Sequence, residues 1–287
     1  MSRSILVIAY DRELDRFSLE KAHFLAAPLD ATLEIVRFLP SLDSHDELAR
    51  TNTLSQAKQV LENDIFEIFG DDERVSWDVI STDDISSWVA AACSEKHFDL
   101  VIKTGHRTEG LFHTPTDWHL MRQLPCPILI TSDHKWKSKQ VVLATVDLTA
   151  PDLQHKERNE EVLKWTTLMS QTFNYSTHIV YSIPIAKPLV ELEVVDKNKY
   201  LQSNKIAAEN QLSKLLGNFE LGEASTEITA GPPDKTILHV ANELKAELVV
   251  MGCKGREGIK GLLFGSTAEN VLHHLRTDIL LVKYTGD

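Results

Sequence analysis

Short apolar runs that do not alternate with polar residues recur along this chain, and they restrict its fold more tightly than any other feature. Ile5–Tyr10 is one such run, closed by Asp11, and Val141–Val146 is another, closed by Asp147. Leu100-Val101-Ile102 follows Asp99, just as Leu248-Val249-Val250-Met251 follows Glu247. Ile128-Leu129-Ile130 ends the first half and Ile279-Leu280-Leu281-Val282 ends the second. Runs of this kind are strands covered on both faces, which is what a parallel sheet demands. The same series appears twice, with a spacing that widens slightly along the chain, as two homologous units with small insertions produce.

Longer amphipathic stretches separate the runs. Leu54–Phe69 places Leu54, Ala57, Leu61, Ile65 and Ile68 at helical spacing, and Leu14–Leu29, Glu161–Phe173, Lys199–Leu216 and Lys235–Leu244 read the same way. Thr32–Leu39, Val75–Ile80, Thr177–Ile183 and Ala224–Thr229 supply the second and third strands of each unit. Five strands interleaved with helices, twice over, predict an α/β fold of two tandem five-stranded parallel-sheet, Rossmann-like domains. With 287 residues the chain is roughly twice an average domain of ~150. The expected domains are residues 1–134 and 139–287, on either side of a polar connector that contains Trp136, an indole expected either to help pin the two together or to stand half-exposed.

Composition excludes several classes. The net charge is −12, from 42 acidic and 30 basic residues, which opposes non-specific binding to nucleic acid or anionic lipid. No segment offers the ~20 continuous apolar residues of a membrane span, and the N-terminal run is too short for a signal peptide. The three cysteines, Cys93, Cys126 and Cys253, lie far apart with no CxxC spacing, as expected of free thiols in a cytoplasmic protein.

One segment carries chemistry. Met251-Gly252-Cys253-Lys254-Gly255 follows a predicted strand, and Gly265-Ser266-Thr267 opens a helical run, Ala268–Leu275. Gly252 and Gly255 are expected to allow a turn that exposes backbone N–H groups. The helix start adds unpaired N–H groups and the positive end of a dipole, a ready anion site. Ser266, with Glu269 three residues on, also fits a capping box, a competing use of the hydroxyl. The segment is neither a Walker A loop nor a GxGxxG fingerprint.

Gly252-x2-Gly255-x9-Gly265-Ser266 after a fourth strand resembles the ATP-binding signature of the universal stress protein family. The resemblance covers essentially the whole chain as two tandem copies, in the manner of the E-type members, and the first half adds Leu111–Leu120 followed by Pro125-Cys126-Pro127. It implies adenine nucleotide alpha hydrolase-like domains whose fifth strands, Ile128–Thr131 and Ile279–Lys283, pair as an intramolecular pseudo-dimer. It also implies that Asp147 approaches ribose and adenine, that Met251 and Gly252 lie beside ribose and phosphates, and that Gly255, Gly265, Ser266 and Thr267 contact phosphate. The implied ligand is ATP, with magnesium held through phosphate oxygens. The first unit keeps Asp11 but departs from the signature: Lys103-Thr104-Gly105-His106 lacks the glycine pair, and His113-Thr114 replaces Gly265-Ser266. Thr114-Pro115-x-Asp117 reads as a capped helix start, while Lys103 and His106 leave a different ligand open.

No catalytic residue and no metal site is assigned. The 12 histidines show no repeated ligand spacing, and His273 and His274, adjacent on a helix, point apart. The leading expectation is a nucleotide-binding, stress-response protein of the cytoplasm, without strong catalysis, whose ligand state alters binding to protein partners. The alternatives are a binding protein of the same fold for another, partly apolar ligand, a slow ATPase, and an interaction scaffold without ligand.

Overall fold

The structure, a computed structural model, describes all residues except 1, 11, 42–46, 106–119, 121–123, 138–139, 151, 254–265 and 284–287. The chain divides into two compact units, Met1–Trp136 and Lys137–Asp287. In the first, β1 (Arg3–Ala9), α1 (Arg12–Ala26), β2 (Ala31–Leu39), α2 (Glu47–Phe69), β3 (Val75–Ser81), α3 (Ile85–Glu95), β4 (Leu100–Thr104) and β5 (Ile128–Thr131) follow one another. In the second the order is β6 (Val141–Val146), α4 (Leu153–Phe173), β7 (Ser176–Pro184), α5 (Lys187–Glu191), α6 (Lys197–Leu216), β8 (Ser225–Gly231), α7 (Pro233–Glu243), β9 (Leu248–Cys253), α8 (Ser266–His274) and β10 (Asp278–Lys283).

Within each unit the strands are parallel. They run β3-β2-β1-β4-β5 in the first and β8-β7-β6-β9-β10 in the second. The burial of the strands explains their apolar runs. Ile5–Ala9 are fully buried, whereas the edge strand β3 alternates between covered and exposed positions because helices cover it on one face only. In both units the order of connection reverses between the first strand and the fourth. Open α/β sheets bind ligands at that switch point, outside the carboxyl ends of the strands.

Three expectations change. Helix α4 begins at Leu153, two turns before the expected Glu161, with Asp152 accepting a hydrogen bond from the His155 N–H at 2.9 Å. Two helices were not anticipated: α3, capped by Asp84, and the single-turn α5. Trp136 belongs to the first unit, with its ring edge-on to Phe24 (centroids 5.9 Å apart) and the Lys21 ammonium 5.8 Å from its centroid.

The register also corrects an equivalence. Ile5 faces Leu100 and Ile8 faces Lys103 in the first unit, while Val142 faces Leu248 and Thr145 faces Met251 in the second. Counting on from these partners, Tyr10 and not Asp11 stands where Asp147 stands. The capping contacts agree: the Tyr10 N–H donates to Asp15, and the Asp147 N–H donates to Asn159. The first unit therefore does not keep the aspartate at that position.

Candidate functional site

The carboxyl ends of β6 and β9 open into a cavity of about 270 Å³ within the second unit. Four of the seven residues expected at a nucleotide site line it: Asp147, Met251, Gly252 and Thr267. Ser266 is the first residue of α8, but its side chain lies outside the described residues, as do Gly255 and Gly265. The capping-box reading of Ser266 rests on that side chain and lies outside them too.

Asp147 follows β6 and is held by its backbone. Asn159, buried on α4, accepts from the Asp147 N–H at 2.9 Å and donates to the Asp147 carbonyl at 2.8 Å. One amide side chain thus satisfies both main-chain groups at the strand end, which fixes where the carboxylate emerges. That carboxylate accepts from the Thr149 N–H at 3.0 Å and from its hydroxyl at 2.5 Å, and its second oxygen lies 3.5 Å from His155 Nε2. His155 is itself buried and joined through Nδ1 to Asp152 at 2.7 Å. Hydrogen bonding from His155 holds the Asp152 carboxyl below its ordinary value.

Gly252 requires a correction. It lies inside β9, paired in register with Val282, and no left-handed backbone conformation calls for glycine there. Space calls for it. A Cβ on Gly252 would come within 2.6 Å of Arg158 Cγ and 2.7 Å of its Cδ, far inside van der Waals contact. Where a turn was expected, the glycine instead makes room for an arginine stem from α4.

The cavity has two kinds of wall. Val146, Val180, Tyr181, Ile237, Met251 and Ala268 form an apolar side. Burial, with Asp147 and Tyr200 nearby, raises the Tyr181 phenol above its ordinary value, so the ring meets the cavity uncharged. The same lining carries polar groups, Asp147, Thr149, Arg158, Asn159 and Thr267. A lining that mixes apolar and polar side chains in this way suits a ligand with both an apolar and a polar part.

Arg158, Asn159 and His155 escaped the sequence reading because Gln154–Glu160 is almost wholly polar. The signal was present: positions 155, 158 and 159 continue, at helical spacing, the buried stripe of Val162, Thr166 and Met169. Polar residues in register with a buried stripe are buried for a reason.

The remaining expectations divide as follows. Burial pushes the Cys253 thiol up to about 11, and its sulfur donates to the Val282 carbonyl at 3.6 Å, so it is an inert core thiol. Cys93 and Cys126, distant in sequence, are hydrogen-bond partners, and that bond lowers the Cys93 pKa. Among the described residues no group of three or more histidine, cysteine or acidic side chains is placed to hold a metal. His106, His113, Thr114, Pro115, Asp117 and Asp11 lie outside the described residues. Lys103 is buried and donates to the Thr104 carbonyl at 3.0 Å. No helix among the described residues is long and apolar enough to cross a membrane.

Comparison with known proteins identifies relatives of the chain. Residues 146–283 match the universal stress protein family. The chain is 32% identical to universal stress protein E of Salmonella typhi over 191 residues, 64% of this chain and 61% of that protein. It thus matches about six tenths of the length of that relative. A universal stress protein E homolog of Haemophilus influenzae is 29% identical over 73% of this chain and 69% of its own. Among solved structures, a putative universal stress protein from Pseudomonas aeruginosa aligns with a TM-score of 0.73 and 24% identity, over 98% of this chain and 93% of that one. One from Archaeoglobus fulgidus aligns at 0.65 and 15%, over 97% and 96%. At these identities the solved structures establish the fold.

Proposed function

We propose, from the match of residues 146–283 to the universal stress protein family, that the second unit binds a nucleotide, ATP first among them, at the carboxyl ends of β6 and β9. The convergence of Asp147, Met251, Gly252 and Thr267 on one cavity carries the reading. The apolar wall takes the base, the Asp147 carboxylate reaches the ribose hydroxyls, and the first turn of α8 offers its positive end to phosphate. In this reading Gly255, Gly265 and Ser266 complete the phosphate contacts. Magnesium, where present, is held through the phosphates.

The protein so described is a stress-response binding protein of the cytoplasm, and its ligand state changes how it meets protein partners. No base is assigned to attack a phosphate, so strong catalysis is not part of the reading. The slow ATPase is the alternative with a specific observation behind it: His155 lies between Asp152 and Asp147, the latter a residue of the cavity lining.

Calorimetric titration of ATP into the full chain, with and without magnesium and beside Gly265→Asp, tests the proposal. Saturable binding by the wild type and none by the variant is expected. No heat and no thermal shift at millimolar ATP would sink it. Phosphate release above a buffer control, lost in His155→Ala, would favour the ATPase instead.

A further inference from the structure

Arg158 is 7% exposed, lines the cavity, and among the described residues forms no hydrogen bond or ion pair, although its charge is felt by the Asp152 carboxylate. Its stem is seated over β9 where Gly252 leaves room for it, with Val162 against the same spot. Arg158 and Asp147 are the charged side chains among the described residues of the lining, and they do not pair with each other. The carboxylate is already engaged by Thr149 and faces His155. A guanidinium removed from water without a hydrogen-bonded carboxylate is costly, and structural arginines in such places are almost always paired. A residue that carries this cost, and for which a glycine is reserved in the neighbouring strand, is placed to meet an anion that enters the cavity. Thr267, on the first turn of α8, lines the same cavity, so a helix dipole converges there with the side-chain charge.

We propose that Arg158 is the anion-specifying residue of this site and that it selects nucleoside polyphosphates over bare nucleosides by engaging phosphate oxygens through its planar fork. This rests on the nucleotide reading above and adds to it a charge supplied by α4, outside the glycine-rich segment. The sequence pattern of that segment does not contain it.

The test is calorimetry on the full chain with three probes, adenosine, ATP and inorganic tripolyphosphate, for wild type, Arg158→Met and Arg158→Lys, with melting temperatures on the same samples. Charge-assisted hydrogen bonds of this kind correspond to about 10- to 100-fold in affinity. Arg158→Met should weaken ATP and tripolyphosphate by that factor and leave adenosine within about twofold. Arg158→Lys should recover part of the loss, since it keeps the charge without the fork. Unchanged ATP affinity in Arg158→Met overturns the proposal and leaves the nucleotide reading standing. An equal loss of adenosine and ATP also overturns it, and with a lowered melting temperature it assigns Arg158 to packing. If wild type takes tripolyphosphate but neither nucleoside nor nucleotide, and Arg158→Met abolishes this, the nucleotide reading falls and Arg158 stands. Binding of none of the three probes defeats both.

Discussion

The two units end their fourth strands differently, and the contrast bears on where a cavity opens among the described residues. By register Thr104 in β4 corresponds to Gly252 in β9. The match between Asp15 and Asn159, which cap the two strand ends, sets Leu14 of α1 against Arg158 of α4. In the first unit the Thr104 hydroxyl donates to the Leu14 carbonyl at 3.3 Å, and the buried Lys103 donates to the Thr104 carbonyl. Helix and strand are stitched together there. In the second unit glycine admits the stem of a buried arginine, and a cavity opens beside it. The same topology thus carries a hydrogen-bonded strand end in one unit and a cavity beside the strand end in the other.

The largest stability effect should follow from the clamp at Asp147. Asn159→Ala removes two buried hydrogen bonds and strands both partners, so the second unit should lose about 2–3 kcal/mol in urea unfolding. A loss below half a kilocalorie would mean that water replaces the amide and that the carboxylate is not fixed. Next comes the glycine. Gly252→Ala should cost about 1–3 kcal/mol by overpacking against Arg158, and Arg158→Ala should rescue it. If the double variant is no more stable than Gly252→Ala alone, arginine is not what the glycine accommodates. The mirror change Thr104→Ala in the first unit should cost less, about 0.5–1.5 kcal/mol, for one hydroxyl bond.

The smallest effects separate the units by pH. In the second, Cys253 moves from 9.0 to about 11 and Tyr175 from 10.0 to about 12, both first through burial. A raised pKa contributes stability that is full below the unfolded value and is lost as pH rises through the folded one. The second unit should therefore weaken between about pH 9 and 12. In the first, hydrogen bonding to Arg74 lowers Asp72 from 3.8 to about 2, and a lowered pKa gives stability that is lost as pH falls through that window. Tryptophan fluorescence during acid and alkaline titration, with Asp72→Asn and Tyr175→Phe as controls, checks both directions. Identical profiles for variant and wild type would remove these groups from the account. At neutral pH, Cys93 should alkylate before Cys253, as mass spectrometry of peptides would show, and the reverse order would contradict the burial of the latter.

Much of the fold could be read from residues because its strands are covered on both faces, so they appear as runs that do not alternate. The helix boundaries could not. Leu153–Glu160 looks like a loop until its partners are known, since a buried arginine and asparagine carry no apolar signature. The equivalence of the two halves was legible only to within one residue: apolar runs slide past one another, and it takes the register together with the capping contacts to set Tyr10, not Asp11, in the place of Asp147. Gly252 stood out as part of a glycine pattern, yet its reason is a side chain from a helix that the pattern does not include.

That asymmetry predicts a stoichiometry. Equilibrium dialysis of ATP against the full chain should give one nucleotide per chain, abolished by Gly265→Asp and untouched by Thr104→Ala. Two nucleotides per chain, or one that survives Gly265→Asp and is lost in Thr104→Ala, would contradict the assignment of the site to the second unit.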